Sequence, residues 1–265
     1  GTQRFLKRAP KARQEIWARE DIAPRAIDQE VVTLLHTTHM GCAADYESIF
    51  RRGMRTSMAD GWGGSMIGTE FSDILYGTPT ARASSSNLGV IDAEQVNIMS
   101  HGHDPNLSEM IVLAAQDPAM IDMAKSVGAK GINIVGMCCT GNEMTMRHGI
   151  KIAGNFYQQE MAIITGAIEA VVVDVQCIFP ALPELAKTYH TRFISTSQKA
   201  KIAGDMYIEF SEATGLENAA EIVKIAINNF PNRDASKVEI PDIKQDTMVG
   251  YSVETIIDHL DKVVN

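Results

Sequence analysis

The chain of 265 residues lacks several features that would indicate common functions. Its 24 lysines and arginines are outnumbered by 33 aspartates and glutamates, for a formal net charge of −9. An acidic chain of this kind argues against a nucleic-acid partner or an anionic membrane surface. No apolar run is long enough to cross a bilayer, and residues 1–17 lack the apolar centre of a signal peptide. We therefore expect a cytoplasmic protein with no membrane span.

Cysteine is also scarce, and the usual catalytic motifs are missing. Four cysteines in a chain of this size do not form a disulfide framework, so reduced thiols are expected. No G-x-G-x-x-G follows a strand and no G-x-x-x-x-G-K-[ST] occurs, which removes the usual basis for nucleotide binding. Neither a G-x-S-x-G elbow nor an H-E-x-x-H helix is present.

Hydrophobic periodicity divides the chain into two parts. Residues 1–88 predict a helical segment, with Asp28, Asp45 and Ser65 as helix N-caps and the glycine-rich stretch 61–65 as a turn between helices. The stretch TPTARASSSNLG, residues 78–89, predicts a polar connection.

Residues 89–265 predict a Rossmann-like α/β domain built on a doubly wound parallel sheet. Strands VNIMS, INIVGM, IKIAG, AVVVDVQ and RFISTS alternate with helical segments, including one long helix from Leu107 to Gly128. The tail is less regular, with two helical stretches around a polar segment.

Three potential soft-metal ligands follow buried strands of this pattern. His103, Cys139 and Cys177 each stand just after an apolar run, at separations of 36 and 38 residues (139 − 103 and 177 − 139). Ligands bind at the carboxyl ends of strands in open α/β sheets. If the three strands are neighbours, one imidazole and two thiols converge on one crevice, which favours a metal or metal–sulfur centre.

Each of these residues also has a simpler interpretation. His101 and His103 could be histidines that satisfy loop carbonyls; His103 is the better ligand because it lies beyond the strand, and Asp104 could hold its second ring nitrogen. Cys138 and Cys139 could be a buried, inert pair. As an alternative, the start of a helix would lower their thiol pKa, with one thiol facing the crevice and the other the core.

The remaining candidates are weaker. Cys177 could be a core cysteine, which is a common location for this residue type. His36 and His39 stand three residues apart on a helical face, and without a third ligand nearby they indicate metal binding only weakly. Cys42 is most simply a structural thiol.

Several longer segments resemble the catalytic subunit of nickel-dependent, anaerobic carbon monoxide dehydrogenase. The resemblance covers most of the chain, and its most specific motifs are HGH-x-P at 101–105, CCTGNE at 138–143 and D-x-QC at 174–177. It implies a Rossmann-like domain preceded by the C-terminal part of a larger helical domain. It also implies a nickel–iron–sulfur cluster that interconverts CO and water with CO2, two protons and two electrons.

The resemblance assigns roles to three residues and leaves part of the machinery outside this chain. It implies that His103 binds the unique iron and that Cys139 and Cys177 are thiolate ligands of the cluster. Members of the family take three further cysteine ligands and a lysine from a later region, and they carry 4Fe-4S clusters upstream. We therefore expect an internal fragment that holds about half of the ligands and is inactive when isolated.

The resemblance further implies partners, and two alternatives stay open. The parent would be a homodimer that passes electrons to an iron–sulfur acceptor protein and, in some cases, pairs with acetyl-CoA synthase. One alternative is a hybrid-cluster-type iron–sulfur redox enzyme, which would be expected to use a glutamate ligand and to lack HGH. The other is a metal-free, Rossmann-like interaction module.

Overall fold

The computed structural model describes residues 2–264, except for the side chains of Arg4, Val263 and Val264. The chain forms two compact units, one up to Thr78 and one from Pro79 onward. The first unit, called here the helical unit, consists of α1 (Thr2–Arg8), α2 (Lys11–Arg19), α3 (Ile27–Thr37), α4 (Tyr46–Ala59), a π-helical segment (Asp60–Ser65) and α5 (Met66–Tyr76).

The N-caps predicted for the helical unit have mixed outcomes. Asp45 caps α4 as predicted, and its side chain accepts a hydrogen bond from the backbone N–H of Ser48 at 2.7 Å. Asp28 is not a cap, because α3 begins at Ile27 and Ala26 therefore occupies the cap position. Ser65 is not a cap either, since its backbone is already helical and its side chain makes no capping bond.

The glycine-rich stretch 61–65 was predicted to be a turn, and this prediction is wrong. Residues Asp60–Ser65 form a π-helical segment that joins α4 to α5 without a break. The ring of Trp62 stacks on Phe5 at a centroid distance of 3.3 Å. Packing of this kind outweighs the low helix propensity of three glycines.

The second unit, called here the sheet unit, contains one eight-stranded sheet. Its strands are β1 (Arg82–Ser86), β2 (Val96–His101), β3 (Ile132–Met137), β4 (Lys151–Gly154), β5 (Ile168–Val173), β6 (Arg192–Ser195), β7 (Met206–Tyr207) and β8 (Gln245–Val249). Its helices are α6 (Pro105–Ala115), α7 (Pro118–Ser126), α8 (Cys138–His148), α9 (Gln159–Ile164), α10 (Leu182–Lys187), α11 (Gly215–Asn229) and α12 (Val253–Val264).

The strand order is β7-β6-β5-β2-β3-β4-β1-β8. Every pairing is parallel except that of β8 with β1, which is antiparallel. From β2 the chain proceeds to β3 and β4 on one side, and from β5 it proceeds to β6 and β7 on the other. The predicted doubly wound α/β architecture is therefore confirmed, and its topological switch point lies between β2 and β5.

Apolar layers cover both faces of the sheet. Every residue of β2 and of β5 is buried. Ile98 belongs to the layer that includes α6 and α11, whereas its neighbour Met99 belongs to the layer that includes α9 and α10. This alternation explains why the central strands are continuous apolar runs in the sequence.

Three further sequence predictions need correction. The segment predicted as a polar connection contains β1, so it belongs to the sheet. The predicted long helix is two helices, since Asp117 caps α7 and Pro118 occupies its first turn. The strand predicted to reach Gln176 ends at Val173. No helix within residues 2–264 has the length and apolarity to cross a membrane.

Candidate metal centre

Three loops at the carboxyl ends of neighbouring strands form the candidate site. The order β5-β2-β3 places β2 between the other two strands. His103 follows β2, Cys139 lies in the first turn of α8 directly after β3, and Cys177 follows β5. The structure therefore brings the three predicted ligand-bearing segments to one edge of the sheet, beside the switch point.

The loop after β2 depends on a glycine. Gly102 has a φ of +134°, and a Cβ on it would lie 1.9 Å from Oδ1 of Asp174. Only glycine allows this conformation together with this close approach. The glycine therefore lets the chain turn between His101, which is fully buried, and His103.

Asp174 joins the loops after β2 and β5, and the sequence interpretation did not single it out. Its buried carboxylate accepts hydrogen bonds from the backbone N–H of His103 at 2.6 Å, of Asp104 at 2.7 Å, and of Val175. Burial raises the pKa of this carboxyl, while the three N–H donors oppose that shift. An aspartate directly after a buried strand was the available sequence signal.

The imidazole of His103 is held in one orientation. Its Nδ1 donates to the backbone carbonyl of Val175 at 2.9 Å, which leaves the lone pair on Nε2. That Nε2 lies 3.9 Å from Sγ of Cys177. A carbonyl on the second ring nitrogen is the usual support of a metal-ligating histidine. Val175 provides it in place of Asp104, whose side chain caps α6 instead.

Cys177 lies in a loop with an unusual backbone. Both Gln176 (φ 61°) and Cys177 (φ 56°) adopt the left-handed conformation, which costs non-glycine residues about 1–2 kcal/mol each. The carbonyl of Cys177 accepts from Nε2 of Gln159 at 3.2 Å and from Nε2 of His101 at 2.9 Å. Buried His101 and Gln159 thus hold the loop in place, and burial lowers the pKa of His101 and keeps it neutral.

The two adjacent cysteines have different surroundings. Cys138, also left-handed (φ 62°), is half-buried against the apolar core, whereas Cys139 is exposed. The backbone N–H of Thr140 donates to the carbonyl of Gly102 at 2.9 Å. This bond connects the first turn of α8 to the loop that carries His103.

The pKa values of Cys138 and Cys139 are raised, not lowered as the helix start predicted. Burial, with the neighbouring Cys177 and Cys139, raises the pKa of Cys138 to about 11. Although Cys139 is exposed, partial desolvation of its thiol raises its pKa, with further contributions from Cys177, Glu143 and Asp174. Groups of like charge resist ionising together. A bound cation would relieve that repulsion and stabilise the thiolates.

The soft donors are grouped but do not enclose an ion by themselves. Across the described residues, no three histidine, cysteine or acidic side chains close around one metal position. His103 and Cys177 are in contact, and Cys139 is near enough to share their electrostatic environment. One oriented imidazole and two thiols fit part of the ligand set of a soft metal–sulfur centre.

The fold and the site together define a class: a doubly wound α/β protein with soft-metal donors at its switch point. The sequence profile of the Prismane/CO dehydrogenase family matches residues 1–264. The chain therefore belongs to that family.

Individual relatives agree with this assignment. The chain is 53% identical over 257 residues to carbon monoxide dehydrogenase 1 of Methanosarcina mazei, covering 97% of this chain and 41% of the relative. The as-isolated, nickel-free crystal structure of carbon monoxide dehydrogenase from Thermococcus sp. AM4 superposes with a TM-score of 0.90 at 50% identity, covering 96% of this chain and 40% of that one.

A third similarity is to acetyl-CoA synthase/carbon monoxide dehydrogenase, in a structure with NiZn[Fe4S4] and NiNi[Fe4S4] clusters in its alpha subunits. The TM-score is 0.87 at 43% identity, covering 96% of this chain and 38% of the other. The chain thus spans about two fifths of the length of these relatives.

Proposed function

We propose that this chain is part of the catalytic subunit of an anaerobic carbon monoxide dehydrogenase. The reaction is the interconversion of CO and water with CO2, two protons and two electrons. The observation that carries the proposal is the oriented imidazole of His103, with Nδ1 held by Val175 and Nε2 directed at Cys177.

His103, Cys139 and Cys177 would hold their share of a nickel–iron–sulfur cluster of the Ni-4Fe-4S type. The remaining ligands, and the 4Fe-4S clusters that conduct electrons, would come from parts of the enzyme beyond these residues. When bound, the cluster supplies soft, electron-rich metal for CO and a Lewis-acidic metal for water. The residues of this chain bind and orient the cluster.

Each supporting residue has a distinct positioning role. Asp174 accepts hydrogen bonds from the backbone N–H groups of His103 and Asp104 in one loop and of Val175 in the other, and so fixes the backbone of His103. Gln159 and His101 fix the carbonyl of Cys177. Burial lowers the pKa of His101, which favours the neutral form of this imidazole.

The assembled enzyme is proposed to be a cytoplasmic homodimer that donates electrons to an iron–sulfur acceptor protein, with acetyl-CoA synthase as a possible partner. The names of the relatives support carbon monoxide oxidation over a hybrid-cluster-type redox enzyme. A metal-free interaction module is disfavoured by the strained backbone of Cys138, Gln176 and Cys177. Strain of this kind collects at functional sites.

The test is the variant His103→Ala in the full-length enzyme. We expect CO oxidation to fall to background and the cluster iron to decrease, because the imidazole that lies beside the thiol of Cys177 is removed. The stability of the fold should change by less than about 1 kcal/mol, since the side chain is only half-buried. CO-dependent reduction of a viologen dye, iron and nickel analysis, and circular dichroism give the three readouts.

His259→Ala is the matched control. His259 is exposed on α12 and belongs to no site described above, so wild-type turnover is expected. Wild-type turnover of His103→Ala as well would refute the ligand assignment. Loss of activity in both variants would also count against it, because the effect would then not be specific to His103.

A further inference from the structure

A second group of soft donors lies at the end of α3, far along the sequence from the candidate metal centre. His36 is in the last turn of the helix, and His39 and Cys42 follow at intervals of three residues. All three side chains are exposed. From sequence, His36 and His39 formed only a weak pair because a third ligand was not evident.

The backbone places these side chains on one side. The N–H of His39 donates to the carbonyl of His36 at 3.1 Å, and the N–H of Cys42 donates to the carbonyl of His39 at 3.1 Å. Each of these bonds closes one tight turn of the chain after the helix, so the three side chains stay near one another in space. Gly41 has a φ of +81°, which turns the chain back just before Cys42.

Two of the three donors are already at ligand spacing. Sγ of Cys42 lies 3.8 Å from Nε2 of His36. Sulfur and nitrogen atoms that share one tetrahedral zinc ion, with bonds of about 2.3 and 2.0 Å, lie about 3.5 Å apart. The rings of His36 and His39 have centroids 6.1 Å apart. The three donors do not surround one point in this structure, so the proposed site requires the exposed side chain of His39 to turn toward the other two.

We propose that His36, His39 and Cys42 form a binding site for a borderline-soft divalent cation such as Zn2+. The site would supply two imidazole nitrogens and one thiolate, with water in the fourth position. Its location at the carboxyl end of α3 favours a cation, because the unpaired carbonyls there carry partial negative charge. This site shares no residue with the candidate metal centre and does not depend on the proposed function.

The test weakens the candidate metal centre by removing two of its thiols, so that metal binding at His36, His39 and Cys42 can be measured. In a Cys139→Ser/Cys177→Ser background of the full chain, under reducing conditions, Zn2+ affinity is measured by competition with a chromophoric chelator. We expect one equivalent to bind. Adding Cys42→Ser or His39→Ala should weaken binding at least tenfold, because even the loss of a residue that only supports a metal ligand costs about 10–100-fold in affinity.

A second readout reports the thiolate directly. Co2+ added to the background variant should give sulfur-to-cobalt charge-transfer absorption that disappears in Cys42→Ser and persists in the control His259→Ala. Zn2+ should also protect Cys42 from alkylation in peptide mapping. The proposal is overturned if the background variant binds no Zn2+, or if binding is unchanged by both Cys42→Ser and His39→Ala.

Discussion

The helical unit and the sheet unit are stabilised in different ways. In the sheet unit, the central strands are buried on both faces by apolar layers. In the helical unit, the buried apolar residues are few and mostly small, whereas Val32, Phe50 and Ile74 are between 66% and 76% exposed. The helical unit instead buries a charged pair, Glu30 and Arg55, and stacks Phe5 on Trp62.

This contrast indicates that the candidate metal centre is built on the more stable part of the chain. A fully buried apolar side chain contributes about 1.5–3 kcal/mol, whereas replacing a buried ion pair with apolar residues is often neutral or stabilising. The stability of the helical unit can be measured separately, because both tryptophans, Trp17 and Trp62, lie in it. Tryptophan fluorescence therefore reports the helical unit alone.

The largest expected effect is that of Ile98→Ala in β2. Ile98 is fully buried in the strand that leads to His103, so the cavity should cost roughly 4 kcal/mol of unfolding free energy. Urea unfolding followed by circular dichroism should show the loss, while the fluorescence transition stays in place. Ile74→Ala in α5, 76% exposed, is the control and should shift neither signal by more than about 0.5 kcal/mol.

The next effect concerns the loop after β2. Gly102→Ala should cost about 3 kcal/mol, from a strained φ and from displacement of the Asp174 carboxylate. It should also abolish metal binding at the sheet edge. Gly128→Ala shares the positive φ (+95°) but has nothing within 4 Å of the added Cβ, so it should cost only about 1 kcal/mol. Equal losses for the two variants would show that contact with Asp174 is unimportant.

A smaller effect is expected in the helical unit. Glu30→Ala removes a buried carboxylate that is paired with Arg25 at 2.9 Å and with Arg55 at 3.3 Å. Arg55 keeps Asp21 as a second partner at 3.3 Å, so we expect a loss of about 2 kcal/mol instead of the larger loss of a fully isolated charge. Only the unfolding transition followed by tryptophan fluorescence should move to lower urea concentration. A change seen only in the transition followed by circular dichroism would contradict the division into two units.

The pH dependence sharpens this prediction. Burial would raise the pKa of Glu30, but hydrogen bonds from Arg25 and the charge of Arg55 outweigh it, so the pKa is lowered from 4.5. A lowered carboxyl pKa stabilises the folded state above pH 4.5, and this contribution is lost as the pH falls through the folded value. The fluorescence transition should therefore weaken in acid in the wild type and respond less in Glu30→Ala.

Sequence reasoning predicted the parallel strands and the common sheet edge on which His103, Cys139 and Cys177 lie, because both depend on local patterns. Continuous apolar runs identify β2, β3 and β5, and the residues just beyond them must lie at the carboxyl edge. The ligand roles of His103, Cys139 and Cys177 remain predictions. Strands β1 and β8, which lie together at one side of the sheet, were missed because neither carries an apolar run, and β1 has the sequence RASSS.

The supporting residues at the site could not be found in the same way. Asp174 binds N–H groups 70 and 71 residues away in sequence, and Gln159 contacts His101 over 58 residues. No single sequence contains that information. The thiol pKa prediction failed for a related reason: the helix start is a local feature, whereas burial and the crowding of Cys138, Cys139 and Cys177 come from the tertiary structure.

The contact between β3 and α8 limits which residues this part of the chain can accept. A Cβ on Gly136 would lie 2.5 Å from Cα of Gly141, so the strand and the helix touch through their main chains. No side chain lies between the two backbones at this point, so a change of side chain cannot alter the distance between them. The distance of Cys139 from the sheet is therefore set by this backbone contact. We expect it to stay constant in related proteins whose surrounding side chains differ.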